Sequence, residues 1–141
     1  MTANGMLYPR PNRALHISLW IAQVLLAVAY GGAGFLKTFT PLPDLATSMA
    51  WVAELPGWLV RFIGIAELAG AAGMILPAAT RILPGLTPLA ALGFVAVQAL
   101  AIPFHAMRGE LGMSLPANLL LLGLSLVVLW GRWRRLPIGR R

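Results

Sequence analysis

Four long apolar stretches, at about residues 15–36, 58–76, 86–104 and 115–130, constrain this chain more than any other feature. Each is close to the roughly 20 residues that carry an α-helix across the hydrocarbon of a bilayer. Prolines and glycines punctuate them: Pro41 and Pro43, Pro56-Gly57, Pro77, Pro84-Gly85, and Arg108-Gly109-Glu110 with Gly112. Charged residues make up 11% of the 141 positions, against roughly a quarter in soluble domains, so a water-soluble fold would lack the polar surface to cover itself. The expected fold is all-α: a polytopic bundle of four transmembrane helices forming one membrane domain over residues 1–141.

Between spans one and two, Asp44 is placed to cap a short helix in which Leu45, Met49 and Val52 recur at helical spacing and Trp51 offers an interfacial ring. This predicts a short helix lying along the membrane surface rather than an irregular loop. Gly31, Gly32 and Gly34 in span one, with Gly64, Ala66, Gly70 and Gly73 in span two, are small residues that let helices approach closely in lipid. They predict contact between spans one and two, and could equally serve a homodimer.

The net charge of +7 does not point to nucleic acid, because the basic residues cluster at the membrane edges. Arg10, Arg13, Arg81, Arg132, Arg134, Arg135, Arg140 and Arg141 fall on one side, and Lys37, Arg61 and Arg108 on or towards the other. The basic excess in short loops marks the cytoplasmic side, which puts both termini in the cytoplasm and, in a bacterium, the chain in the inner membrane. The first apolar stretch lacks the small-residue cleavage pattern of a secretory signal and reads as a retained helix. With no cysteine, the chain has no disulfide, thiolate ligand or dithiol pair, so electron chemistry would require a bound cofactor or a partner subunit.

Glu67 is the most informative candidate, about nine residues into span two and so roughly 13 Å from its outer end. A carboxylate at that depth is costly unless paired, protonated or hydrated, and reads either as a catalytic group or as a hydrogen-bonded packing residue. Span one carries Gln23, Tyr30 and Lys37 at intervals of seven, a stripe along one helix face. Span three repeats the interval with Gln98 and His105, and span four contributes Asn118. With Arg61, these residues converge on the outer half of the bundle, as they would around a pocket or in a hydrogen-bonded core. Glu67, Lys37 and His105 are the candidate catalytic residues; Gln23, Tyr30, Arg61, Gln98 and Asn118 are the candidate substrate-binding residues. His16 and His105, at opposite ends of their spans, do not share a metal site.

The chain resembles the DoxX-like family of bacterial membrane proteins. The resemblance is carried by Gly34 with Lys37 at the end of span one, by Gly64-Ile65-Ala66-Glu67-Leu68 running on to Gly73-Met74-Ile75-Leu76-Pro77, by Leu86-Thr87-Pro88-Leu89-Ala90-Ala91, and by His105. It implies a four-helix membrane fold and, for some members, association with quinone-linked oxidation of sulfur compounds or with oxidative-stress complexes. It carries over no catalytic set, and the missing cysteine argues against a thiol relay. Three functions are consistent with the residues. One is a quinone-linked oxidoreductase subunit or small enzyme acting on a lipophilic molecule. Another is a cofactor-free acid–base enzyme acting on a terpenoid or polyketide, and the third is a non-catalytic assembly or transport component.

Overall fold

The computed structural model describes residues 12–141, and Arg10 of the charge count lies outside them. Helix α1 spans Arg13–Phe39, α2 Leu42–Ser48, α3 Gly57–Thr80, α4 Leu86–Met107 and α5 Leu111–Trp130; a 3-10 turn, Ala50–Glu54, follows α2, and a π-helical turn, Gly131–Arg135, continues α5. Among the described residues, α1, α3, α4 and the helix formed by α5 with its π turn are long and apolar enough to cross a membrane. The chain is a multi-pass membrane protein of four spanning helices.

Local chemistry sets the helix ends. Asn12 caps α1, its side chain accepting the Leu15 N–H at 3.1 Å. At the other end Pro41 forces Thr40 into extended backbone, and α1 stops. Helix α4 closes on Gly109 at φ 72°, with the Gly109 N–H donating to Ala106 O and the Glu110 N–H to His105 O, a Schellman arrangement that satisfies two terminal carbonyls.

Two of the expected punctuation marks sit differently. Pro41, not Asp44, occupies the cap of α2; Asp44 falls in the first turn, where its charge still complements the helix dipole. Pro77 lies inside α3 rather than at its end. A proline there cannot bond the carbonyl four residues back. That carbonyl, Gly73 O, instead accepts from the Thr87 hydroxyl of α4 at 3.3 Å, so the helix continues another turn at little cost.

The four long helices form a ring in which α1 packs on α3, α3 on α4, α4 on α5 and α5 back on α1. The core joins Ala22, Leu26 and Tyr30 of α1, Met74 of α3, Ala91 and Phe94 of α4 and Val128 of α5. A second cluster of Leu45, Val52 and Val60 seats α2 and the 3-10 turn on the end of the bundle, as the spacing of Leu45 and Val52 predicts. Large apolar side chains such as Val28, Phe62, Leu76 and Leu100 face outwards, the pattern of helices solvated by lipid.

The glycine contacts divide between two neighbours. A Cβ on Gly34 would stand 2.8 Å from Gly64 O and 3.0 Å from Glu67 Cβ, and Gly31 meets Ala71, so these residues do mark the crossing of α1 and α3. Gly70 and Gly73 do not. Gly70 makes room for the Phe94 ring and Gly73 faces Ala90, both on α4, because those positions lie on a different face of α3. Gly32 meets nothing within 4 Å.

Candidate functional site

At the α2 end of the bundle, the close crossing of Gly34 and Gly64 brings the backbones of α1 and α3 together and sets Lys37 opposite Glu67. Lys37 Nζ donates to both Glu67 oxygens at 2.8 Å, and Glu67 is only 3% exposed. Lys37 belongs to the last turn of α1, where a cation complements the dipole. Its ammonium also lies 5.6 Å from the centroid of the Trp51 ring, contributed by the 3-10 turn. Arg61 makes no hydrogen bond to either side chain of the pair. Its Nη1 donates to the Lys37 carbonyl at 2.7 Å and ties the end of α1 to α3.

Seven residues earlier on α1, Tyr30 stacks on Phe94 with ring centroids 3.8 Å apart. Gln98 Nε2 donates to the Tyr30 hydroxyl at 2.7 Å, and Gln98 Oε1 is buried without a partner among the described residues. Whichever way the amide lies, the phenol and the amide together retain one donor and one acceptor for another group.

His105 and Gln23 belong to other clusters. Beyond the Lys37–Glu67 pair, His105 Nδ1 lies 2.9 Å from Glu110 Oε2, Arg108 Nη2 donates to Glu110 Oε1 at 2.8 Å, and Arg108 also pairs with Glu54. This network ties the 3-10 turn to the α4–α5 turn, and His105 follows it because Glu110 is its nearest carboxylate along the chain. Hydrogen bonds from Arg108 and then His105 hold the Glu110 carboxyl down to about 2 from the usual 4.5, while Glu110 and then Glu54 push the Arg108 guanidinium up. Gln23 lies two turns from Tyr30 towards the other end of the bundle. Its Nε2 donates to Met74 O at 2.8 Å and its Oε1 accepts from Arg132 Nε at 2.7 Å. The regular stripe on α1 therefore feeds three separate clusters. Asn118 stands on α5 with its Nδ2 buried and unpartnered within the described residues.

Sequence spacing missed Arg132, which counts as a loop arginine in the charge tally yet is only 3% exposed. It follows the end of α5 directly, and nothing in its spacing separates it from Arg134 or Arg135. Phe94 was likewise indistinguishable from any other apolar residue of α4 until its stack on Tyr30 was visible.

No match was found among curated proteins, nor among solved structures. The DoxX-like family model, in contrast, matches residues 21–128, which hold α3 and α4 whole, most of α1 and α5, the Lys37–Glu67 pair and the Tyr30–Gln98 pair. The chain belongs to the DoxX-like family.

Proposed function

We propose that this protein, set in the bacterial cytoplasmic membrane with both termini in the cytoplasm, binds a lipophilic, oxygen-bearing molecule of the quinone class as its substrate. In this reading Lys37 and Glu67 exchange protons with a substrate oxygen. The observation that carries it is the ion pair itself. Two ionisable groups inside an apolar bundle are costly to maintain and by default point to function. A Lys–Glu pair can also pass a proton between its members or to a third group without leaving net charge in the hydrocarbon. Reducing a quinone to the quinol takes two electrons and two protons. The Lys37 ammonium gives one proton and the pair is reprotonated from the aqueous face before it passes the second; the electrons come from a partner redox subunit, since the chain has no cysteine and no dithiol of its own. Tyr30 and Gln98, two turns deeper along α1, offer a further donor and acceptor in the same core.

The reading is tested by purifying the protein with its native lipids, extracting what it retains, and titrating the stripped protein with a short-chain quinone. Glu67→Gln is expected to fold at some cost in melting temperature, because the amide fills the same space and can still accept from Lys37 but no longer balances its charge. It is expected to lose quinone binding by about tenfold or more, the equivalent of about 1.4 kcal/mol. Lys37→Met should weaken the same binding, and His105→Phe should affect it less, since His105 belongs to the Glu110 network. Unchanged binding in a well-folded Glu67→Gln protein would reduce the pair to a device for holding helices together. A second reading, an assembly component without catalysis, is favoured by α5, the least covered helix of the ring, which carries the unpartnered Asn118 Nδ2. It predicts that Asn118→Leu lowers the size of the particle in light scattering while leaving quinone binding intact.

A further inference from the structure

Arg132 is a buried guanidinium that pairs with no carboxylate among the described residues. The chain holds four acids. Asp44 and Glu54 lie on the segment over the far end of the bundle, Glu110 precedes α5 at that same end, and Glu67 is committed to Lys37. From Glu110 to Arg132 is roughly 33 Å along the helix. The partners Arg132 does have are neutral acceptors: Gln23 Oε1 at 2.7 Å from Nε, and His16 Nδ1 at 3.4 Å and Leu136 O at 3.5 Å from Nη1. Its Nη2 is buried with no partner among the described residues, and its Cζ lies 5.7 Å from the Trp20 ring centroid. The side chain is held there by close packing, because Gly131 presses directly against the Leu19 side chain and any Cβ would collide with it. Hydrogen bonds to neutral groups orient a cation but leave its charge unbalanced, which is costly for a buried group.

His16 and Trp20, which flank the guanidinium, also line a shallow depression on α1 that continues along Ile17, Ile21, Val24 and Leu25. From His16 to Leu25 the groove runs roughly 13 Å into the span, a length suited to much of one acyl chain. Its order is that of a lipid: imidazole and indole at the end of the span, with the Arg132 guanidinium packed behind them, and aliphatic side chains below. We propose that this end of α1 is a binding site for one anionic phospholipid. His16, exposed at the head of the groove, donates its second ring nitrogen to the headgroup phosphate, the Arg132 charge bonded to its Nδ1 attracts that phosphate from behind, Trp20 lies at the glycerol level, and one acyl chain follows Ile17, Ile21, Val24 and Leu25. Free inorganic phosphate would satisfy the cation but leave the apolar groove uncovered, so the groove selects the lipid.

The test uses the full chain in a neutral detergent with phosphatidylglycerol, phosphatidylcholine or inorganic phosphate, following retained lipid by native mass spectrometry and melting by fluorescence. One phosphatidylglycerol per chain should be retained about fivefold more tightly than phosphatidylcholine, the preference one basic side chain near a membrane surface supplies. It should also raise the melting temperature, whereas inorganic phosphate should not. Arg132→Gln should bring phosphatidylglycerol down to the phosphatidylcholine level. Because that variant removes a buried residue, Ile21→Trp provides an independent arm: it lies on an exposed face, should fold, and should fill the groove and displace the lipid. Equal retention of the two lipids, stabilisation by inorganic phosphate equal to that by phosphatidylglycerol, or undiminished retention in a folded Ile21→Trp protein would each overturn the proposal.

Discussion

A lysine or a glutamate alone inside hydrocarbon must give up its charge or draw water in with it. Lys37 and Glu67 avoid both by donating and accepting at 2.8 Å, with Trp51 closing over the ammonium. The interaction is therefore asymmetric with respect to mutation. Lys37→Met, which strands the carboxylate, is expected to cost about 3 kcal/mol or more, while a Lys37→Met/Glu67→Leu double variant should recover most of that loss, because replacing a whole buried pair is far cheaper than breaking it. Reversible unfolding of the three proteins in mixed micelles measures the difference, and equal losses in the single and double variants would exclude a buried ion pair. Glu110 gives a pH dependence of definite sign. Its folded pKa of about 2 lies below the ordinary 4.5, so the unfolded chain takes up the proton first on acidification. The stabilisation from this carboxylate is full above about pH 4.5 and drains away as pH falls towards 2. Melting curves between pH 6 and 3 should show a decline that is shallower in Glu110→Gln.

Among the elements, the α1–α3 crossing depends on two glycines rather than on all seven small residues of the pattern. Gly34 faces the backbone of Gly64 and Leu68, Gly64 faces that of Thr38, and a methyl group on either would have to push the helices apart. Gly34→Ala is expected to destabilise by about 1–3 kcal/mol, the range for overpacking a close contact. It should also lengthen the Lys37–Glu67 pair and so weaken any ligand bound there. Gly32→Ala, on the same helix with open space around it, should be neutral in the same assay. Equal effects would show that helix propensity, not backbone approach, is what these glycines control.

Across the whole molecule, the α3–α4 turn and the C-terminal segment lie at one end of the bundle, joined by Arg81. Its Nε donates to Gly139 O at 2.9 Å and its carbonyl accepts from the Arg141 N–H. An even number of spans brings the start of α1 to that same end. The basic residues concentrated there, Arg13, Arg81, Arg132, Arg134, Arg135, Arg140 and Arg141, predict that this end faces the cytoplasm. Reporter fusions at each terminus should be active only with a cytoplasmic reporter, and a reporter inserted after Gly109 should be active only outside.

Hydropathy by itself determined the four spans and the membrane environment, because crossing hydrocarbon requires a run of apolar residues whatever the packing. Spacing also exposed Glu67, Lys37, Tyr30 and Gln98 as unusual, since a polar group within such a run stands out on its own. Which of them meet was decided only by the tertiary structure. Residues seven apart on α1 share a face, but Gln23, Tyr30 and Lys37 each meet a different neighbour, because α3, α4 and the π turn reach that face at different heights. Pro77 shows the same division. The sequence records a missing N–H, and only the arrival of Thr87 from α4 lets the helix continue through it. Arg132 had no sequence signal, because its burial depends on Gly131 touching Leu19, a contact 112 residues distant along the chain and created by the folding of the bundle alone.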